Sequence, residues 1–118
     1  MQYDLENRTK IFSKEVIMFL KRLQKDEINR HIISQLVRSA TSVGANYCEA
    51  NGASSQRDFK HKIFICRKEI QETKYRLELI AESNKDEKDS VEKLWKEAHE
   101  LTLIFNKIST TLRERTEK

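Results

Sequence analysis

Lys60, Arg67 and Lys74 stand seven residues apart, and the neighbouring column holds His61, Lys68 and Tyr75 at the same spacing. Seven residues is close to two helical turns, so each column would form a stripe along one rod, with Lys60 and Lys74 about 21 Å apart. Arg57 and Lys62 add charge near one end, and no acid enters either column before Glu82. A ladder of cations beside an aromatic suits a phosphate backbone of RNA or DNA, and without a base-reading motif any binding would tolerate all sequences. The opposing reading is that Lys and Arg beside a buried stripe cover the core with their stems and pair with acids of the next helix. Glu92, Glu97 and Glu100 are available for that role.

Other chemistries find little support. A di-metal site inside a helical bundle uses Glu-x-x-His pairs, and none of His31, His61 and His99 has a glutamate three positions before it. Glu49, Glu69 and Glu72 could meet across two helices. Carboxylates alone make a poor transition-metal site, so ion pairs or hydrogen bonds with Arg38, Lys68 or Tyr75 are expected instead. Gly44 and Gly52 are the only glycines, which excludes a glycine-rich phosphate loop. No serine sits in a nucleophile setting. No metal, cofactor or catalytic activity is expected.

The elements that position these residues are written in the apolar pattern. Four seams step by three and four: Leu5, Thr9, Phe12, Val16, Phe19, Leu23; Ile33, Leu36, Ala40, Val43, Tyr47, Ala50; Phe59, Ile63, Cys66, Ile70, Thr73, Leu77, Ile80; and Val91, Leu94, Ala98, Leu101, Phe105, Ile108, Leu112. No proline interrupts them. The pattern predicts an all-α protein, one domain over residues 1–118, with helices over about 4–23, 27–50, 56–82 and 90–114. Short polar joints then force antiparallel neighbours, an up-down-up-down four-helix bundle. Asp26 is a candidate N-cap for the second helix, Ser55 with Asp58 for the third, and Asp89 with Glu92 for the fourth. Asn51-Gly52 supplies a residue able to take positive φ where the second helix ends. Gly44 costs about 1 kcal/mol inside a helix. Because the seam keeps phase across it, close approach of a neighbouring helix is the expected reason, with a kink as the alternative.

The chain has 118 residues, 36% of them charged, and a net charge of +4. Residues 1–54 hold eight Lys/Arg and six Asp/Glu, residues 55–83 seven and five, and residues 84–118 eight and eight, so the basic excess belongs to the first three helices. The N-terminus is polar from Met1 onward and no apolar run reaches membrane-spanning length. A cytoplasmic protein without a membrane partner is expected. Cys48 and Cys66 have neither metal-binding nor redox spacing, and no disulfide is expected in a reducing compartment.

More apolar residues point outward than a monomer needs. Ile11, Ile17 and Met18 lie off the first seam, Phe64, Ile65 and Leu79 off the third, and Trp95 and Leu103 off the fourth. Either the core stripe is wide, or these residues form the interface of a symmetric homo-oligomer.

The stretch Arg38-Ser39-Ala40-Thr41-Ser42-Val43-Gly44-Ala45-Asn46-Tyr47-Cys48-Glu49-Ala50 resembles a bacterial family of small four-helix bundles encoded in intervening sequences of 23S ribosomal RNA genes. The likeness extends to Leu5, Arg8, Thr9 and Phe12, and through Asp58-Phe59, Lys62, Ile65, Lys68-Glu69, Glu72-Thr73 and Tyr75-Arg76-Leu77. Arg76 stands where the family often has tryptophan. The resemblance implies a homopentamer, similar in fold to the accessory protein of diversity-generating retroelements, which works with a reverse transcriptase and nucleic acid. Within the motif, Arg38, Thr41, Asn46, Tyr47 and Glu49 are expected to tie helices or subunits together. The sequence therefore points to a non-enzymatic oligomeric bundle that binds nucleic acid weakly through its third helix. The alternative is a scaffold that docks a partner protein without touching nucleic acid.

Overall fold

Each three-and-four apolar stripe becomes the buried face of a helix. The structure, a computed structural model, describes residues 4–117, with side chains through Arg115; the polar residues 1–3 read above for a signal sequence lie outside it. The described residues form four α-helices: α1 (Leu5–Lys21), α2 (Glu27–Asn51), α3 (Gln56–Ser83) and α4 (Lys88–Glu117), with a 3₁₀ turn over Lys85–Glu87 leading into α4. No strand occurs among the described residues. The bundle measures 50 × 21 × 21 Å, and its core runs along the long axis through Phe12, Leu36, Ile63, Ile70, Leu101 and Phe105. No helix among the described residues is long and apolar enough to cross a membrane.

Side-chain caps set the starts of α2 and α3. The Asp26 carboxylate accepts the Asn29 amide N–H at 2.8 Å, and Ser55 Oγ accepts that of Asp58 at 3.0 Å, each satisfying one donor that a helix start leaves unpaired. Two expected signals work differently. Gly52 closes α2 at φ −98°, so the turn does not use glycine's access to positive φ. Asp89 falls inside the first turn of α4, because the 3₁₀ turn after Asn84 brings the helix in at Lys88.

Asn29 and Asn84 join the joints at one end of the bundle. Asn29 is 1% exposed. Its amide donates to Gln24 O at 2.8 Å and to Asn84 Oδ1 at 2.9 Å, and its Oδ1 accepts from Ser83 Oγ at 2.9 Å and from Asn84 Nδ2 at 3.0 Å. Farther along, Gly44 lies against α1: a Cβ placed there would sit 3.2 Å from Thr9 Oγ1 and 3.4 Å from Thr9 Cβ. The glycine marks close approach of two helices, not a break.

Candidate nucleic-acid interface

The two flanks of α3 carry different electrostatics. The flank toward α2 holds acids and their partners. Glu69 is buried, and Arg38 donates to it at 3.0 Å while Ser42 Oγ donates at 3.2 Å. Burial pushes the Glu69 carboxyl up, but the Arg38 hydrogen bond and charge, together with Ser42, outweigh it and leave its pKa lowered. Arg38 also reaches Glu72 at 3.4 Å, and Arg76 reaches the same carboxylate at 3.3 Å. Arg76 thus serves as a second cation on this network. Thr73 Oγ1 donates to Ser39 Oγ at 3.0 Å, and Lys62 pairs with Glu49 at 2.8 Å.

The other motif residues are also absorbed by the fold. Asn46 donates to the Ser42 carbonyl and hydroxyl, both at 2.9 Å, and Thr41 donates to Val37 O at 2.7 Å. Tyr47 packs edge-on against Phe105, and burial raises its phenol. Asp58 is half-buried beside its Ser55 cap, and Tyr75 stands exposed on α3. Glu49, Glu69 and Glu72 are each held by a cation, and the described residues contain no His/Cys/Asp/Glu cluster able to hold a metal.

The flank toward α4 is cationic. Lys60, Arg67 and Lys74 line it, each half-buried. Lys74 lies 4.7 Å over the Trp95 ring and 2.9 Å from His99 Nδ1, and Trp95 stacks on His99. Trp95, expected outside, is therefore half-buried. Glu92, Glu97 and Glu100 of α4 do not pair with this flank. Arg8 of α1 takes Glu97 and Glu100, both at 2.7 Å, which raises its guanidinium pKa, and Glu92 pairs with Lys96 along α4 itself. Glu78 accepts the Trp95 indole N–H at 3.1 Å. Among the described residues no carboxylate lies within ion-pair reach of Arg67, Lys68 or Lys74.

Two open clefts adjoin this flank. One of about 490 Å³ is lined by Lys60, Phe64, Arg67, Asn106, Ser109 and Arg113, among others. Asn106 Oδ1 in its wall is buried without a hydrogen-bond partner among the described residues. The second, about 500 Å³, is lined by Gln56, Arg57, Lys60, His61 and Phe64. Phe64 borders both clefts, which the apolar pattern gave no means to foresee.

The apolar residues expected outside are spread over three helices. Ile11 and Met18 follow α1 seven residues apart, 47% and 61% exposed, and Met18 borders a groove against Phe19 and Leu94. Ile17, Leu79 and Leu103 are also exposed, as is Ile28 on α2, which the seams did not single out. Ile65 is half-buried. Both thiols are free: Cys48 is exposed, and the buried Cys66 is pushed by desolvation up to about 12.

Comparison with known proteins places this geometry in context. The 23S rRNA-intervening sequence protein family matches residues 2–113. A crystal structure of a protein of unknown function from the S23 ribosomal protein family of Bacteroides thetaiotaomicron superposes with a TM-score of 0.79 at 29% sequence identity, covering 88% of this chain and 96% of that one. No curated protein matches.

Proposed function

Because this chain belongs to the 23S rRNA-intervening sequence protein family, we propose that it is a non-enzymatic, cytoplasmic, antiparallel up-down-up-down bundle that self-associates and binds nucleic-acid backbones through Lys60, His61, Arg67, Lys68 and Lys74. One observation carries the nucleic-acid reading. Glu69, Glu72, Glu78, Glu82, Glu92, Glu97 and Glu100 are engaged by other groups, and Arg67 and Lys68 keep no carboxylate partner among the described residues. Uncompensated cations along one helix attract phosphates and release their counterions. The topology finds support in two pairings: Arg8 near the start of α1 meets Glu97 and Glu100, while Arg22 just past its end meets Glu87. Self-association, with five copies the number the family implies, finds support in the exposed Ile11 and Met18. Light scattering should then give a mass well above 14.0 kDa, and an Ile11→Asp, Met18→Asp variant should lower it.

Fluorescence anisotropy with mixed oligonucleotides at low salt tests the binding. Replacing Lys60, Arg67 and Lys74 with glutamine should shrink the slope of log affinity against log salt by roughly two to three units, at about 0.7 to 0.9 per phosphate contact. A variant with Lys10, Lys14 and Lys21 changed to glutamine carries the same net charge and should retain most of the affinity. Equal losses in both variants, or no binding at low salt, would reject this interface. The second reading, a scaffold for a partner protein, draws on the groove of about 340 Å³ lined by Met18, Phe19 and Leu94. Capture of a partner from native cells that survives nuclease treatment and is lost in Met18→Asp would favour it.

A further inference from the structure

The outermost face of α3 carries more than charge. Arg57, His61, Phe64, Lys68, Gln71 and Tyr75 follow one another at steps of four, three, four, three and four, so they share one stripe, and all six are exposed. Two are aromatic: the Phe64 ring is 55% exposed and Tyr75 is 62% exposed. A large apolar ring left in water is ordinary when isolated. Here the two rings flank Lys68 on the same stripe, and the cationic column of Lys60, Arg67 and Lys74 runs alongside.

We infer that this face binds single-stranded nucleic acid, with bases stacked on Phe64 and Tyr75 and phosphates held by Arg67, Lys68 and the neighbouring cations. The inference rests on the nucleic-acid reading above and adds the strandedness and the stacking groups. In a duplex the base faces are already stacked and closed to side chains, whereas a single strand offers every base's π-face together with its phosphates. The rings are eleven residues apart, about 16 Å along the helix, which is roughly five nucleotide steps at a stacked spacing of about 3.4 Å. One short strand therefore reaches both. Charge argues against a two-fold contact of this face with its own copy, since that would set Arg57, His61 and Lys68 against their own equivalents. A ring of copies would instead seat a different surface on it, and the oligomer mass of the Phe64 variant separates that arrangement from stacking.

Anisotropy with three probes tests this: a short mixed-sequence single strand, made as both RNA and DNA, its duplex, and an abasic strand of the same length and charge. The base-bearing strand should bind more tightly than the abasic strand, and the RNA and DNA arms identify the preferred backbone. Phe64→Ala and Tyr75→Ala should each weaken the base-bearing strand by roughly fivefold or more and leave the abasic strand unchanged. Tyr75→Phe should keep its affinity. Both side chains are exposed, so the variants retain the fold, which circular dichroism checks. Equal affinity for base-bearing and abasic strands would overturn the stacking. So would alanine variants that bind as the parent does while Arg67→Gln still weakens binding, and in that case the electrostatic reading survives. A fall in oligomer mass on Phe64→Ala would assign the ring to a copy-to-copy contact and overturn it too. If no probe binds at low salt, both readings fail together.

Discussion

Replacing Gly44 with alanine sets two known effects against each other. Alanine in a helix interior is favoured over glycine by about 1 kcal/mol, so at an open position the change would stabilise the protein. Here the new methyl would stand 3.2 Å from Thr9 Oγ1 and 3.4 Å from Thr9 Cβ. Thr9 is poorly placed to yield. It is 1% exposed, its β-branched side chain has few rotamers, and its hydroxyl donates to Leu5 O at 2.7 Å. Relief must come from α1 moving a few tenths of an ångström as a unit. That is overpacking, at a cost of about 1–3 kcal/mol. The net expectation is a loss of about 1 kcal/mol, or roughly 4 °C in melting temperature for a domain of this size. The double change Gly44→Ala, Thr9→Ala isolates the cause. With Oγ1 gone, the closest remaining neighbour is at an ordinary contact distance, so Gly44→Ala should be neutral or stabilising in the Thr9→Ala background. Thermal and urea unfolding of the four proteins at one fixed concentration should reveal a coupling of about 1 kcal/mol or more. A Gly44→Ala protein that gains the full helix-propensity benefit, with no coupling to Thr9, would show that contact with α1 is not why glycine stands there.

Three further outcomes follow from buried polar groups and thiols. Asn29→Ala removes four hydrogen bonds, of which the Ser83 hydroxyl and the Asn84 amide keep a second acceptor in Ile80 O, and should cost about 1–3 kcal/mol in urea unfolding, with an unchanged m-value; a loss below about 0.5 kcal/mol would mean the joints hold without it. At neutral pH a thiol reagent should label Cys48 alone, and Cys66 only after denaturation, since Cys66 is fully buried and titrates at about 12. The lowered pKa of Glu69 fixes the sign of a pH effect. A depressed carboxylate contributes stability above its unfolded pKa and loses it as pH falls through the folded value. The stability advantage of the parent over Glu69→Gln should therefore be complete near neutrality and shrink below roughly pH 4; an advantage that grows on acidification would contradict the ion-pair geometry.

The apolar seams were legible because burial repeats with the helix. Phe12, Leu36, Ile70, Leu77, Leu101 and Phe105 are all sealed in the core. Gly44 was legible for a related reason: a glycine that leaves the seam in phase has to be accommodating a neighbour. Asn29, Ser39 and Glu69 were not expected inside, since polar residues carry no periodic mark of burial. What pulls them in is the partner each one finds, and Asn29 and Asn84 lie fifty-five positions apart. Pairing was the harder quantity throughout. Glu97 and Glu100 stood ready for α3, yet Arg8 takes both. A single sequence gives the phase of a helix, not which neighbour's flank each edge will meet. The same limit hid Phe64's place between two clefts, and Trp95's position under Lys74.

The charge of the exposed α3 face and the polar seam between α2 and α3 have one origin. Glu69 is buried, and a buried carboxylate is tolerable only with a close cation and hydrogen-bond donors. Arg38 and Ser42 meet that need from α2, and the same Arg38, helped by Arg76, also engages Glu72. Two of α3's acids are thereby fixed on one flank and neutralised. Of its other acids, Asp58 is half-buried in the first turn, Glu78 is turned to the Trp95 indole, and Glu82 pairs with Lys85 at the helix's far end. What α3 presents on its outer and α4-facing sides is mostly cationic, Arg57, Lys60, Arg67, Lys68 and Lys74, with the Phe64 and Tyr75 rings among them. Interior pairing thus leaves an outward field that the modest overall charge of +4 conceals. Over the Debye length of about 8 Å in physiological salt, a ligand at this face responds to that local cluster far more than to the average of the chain.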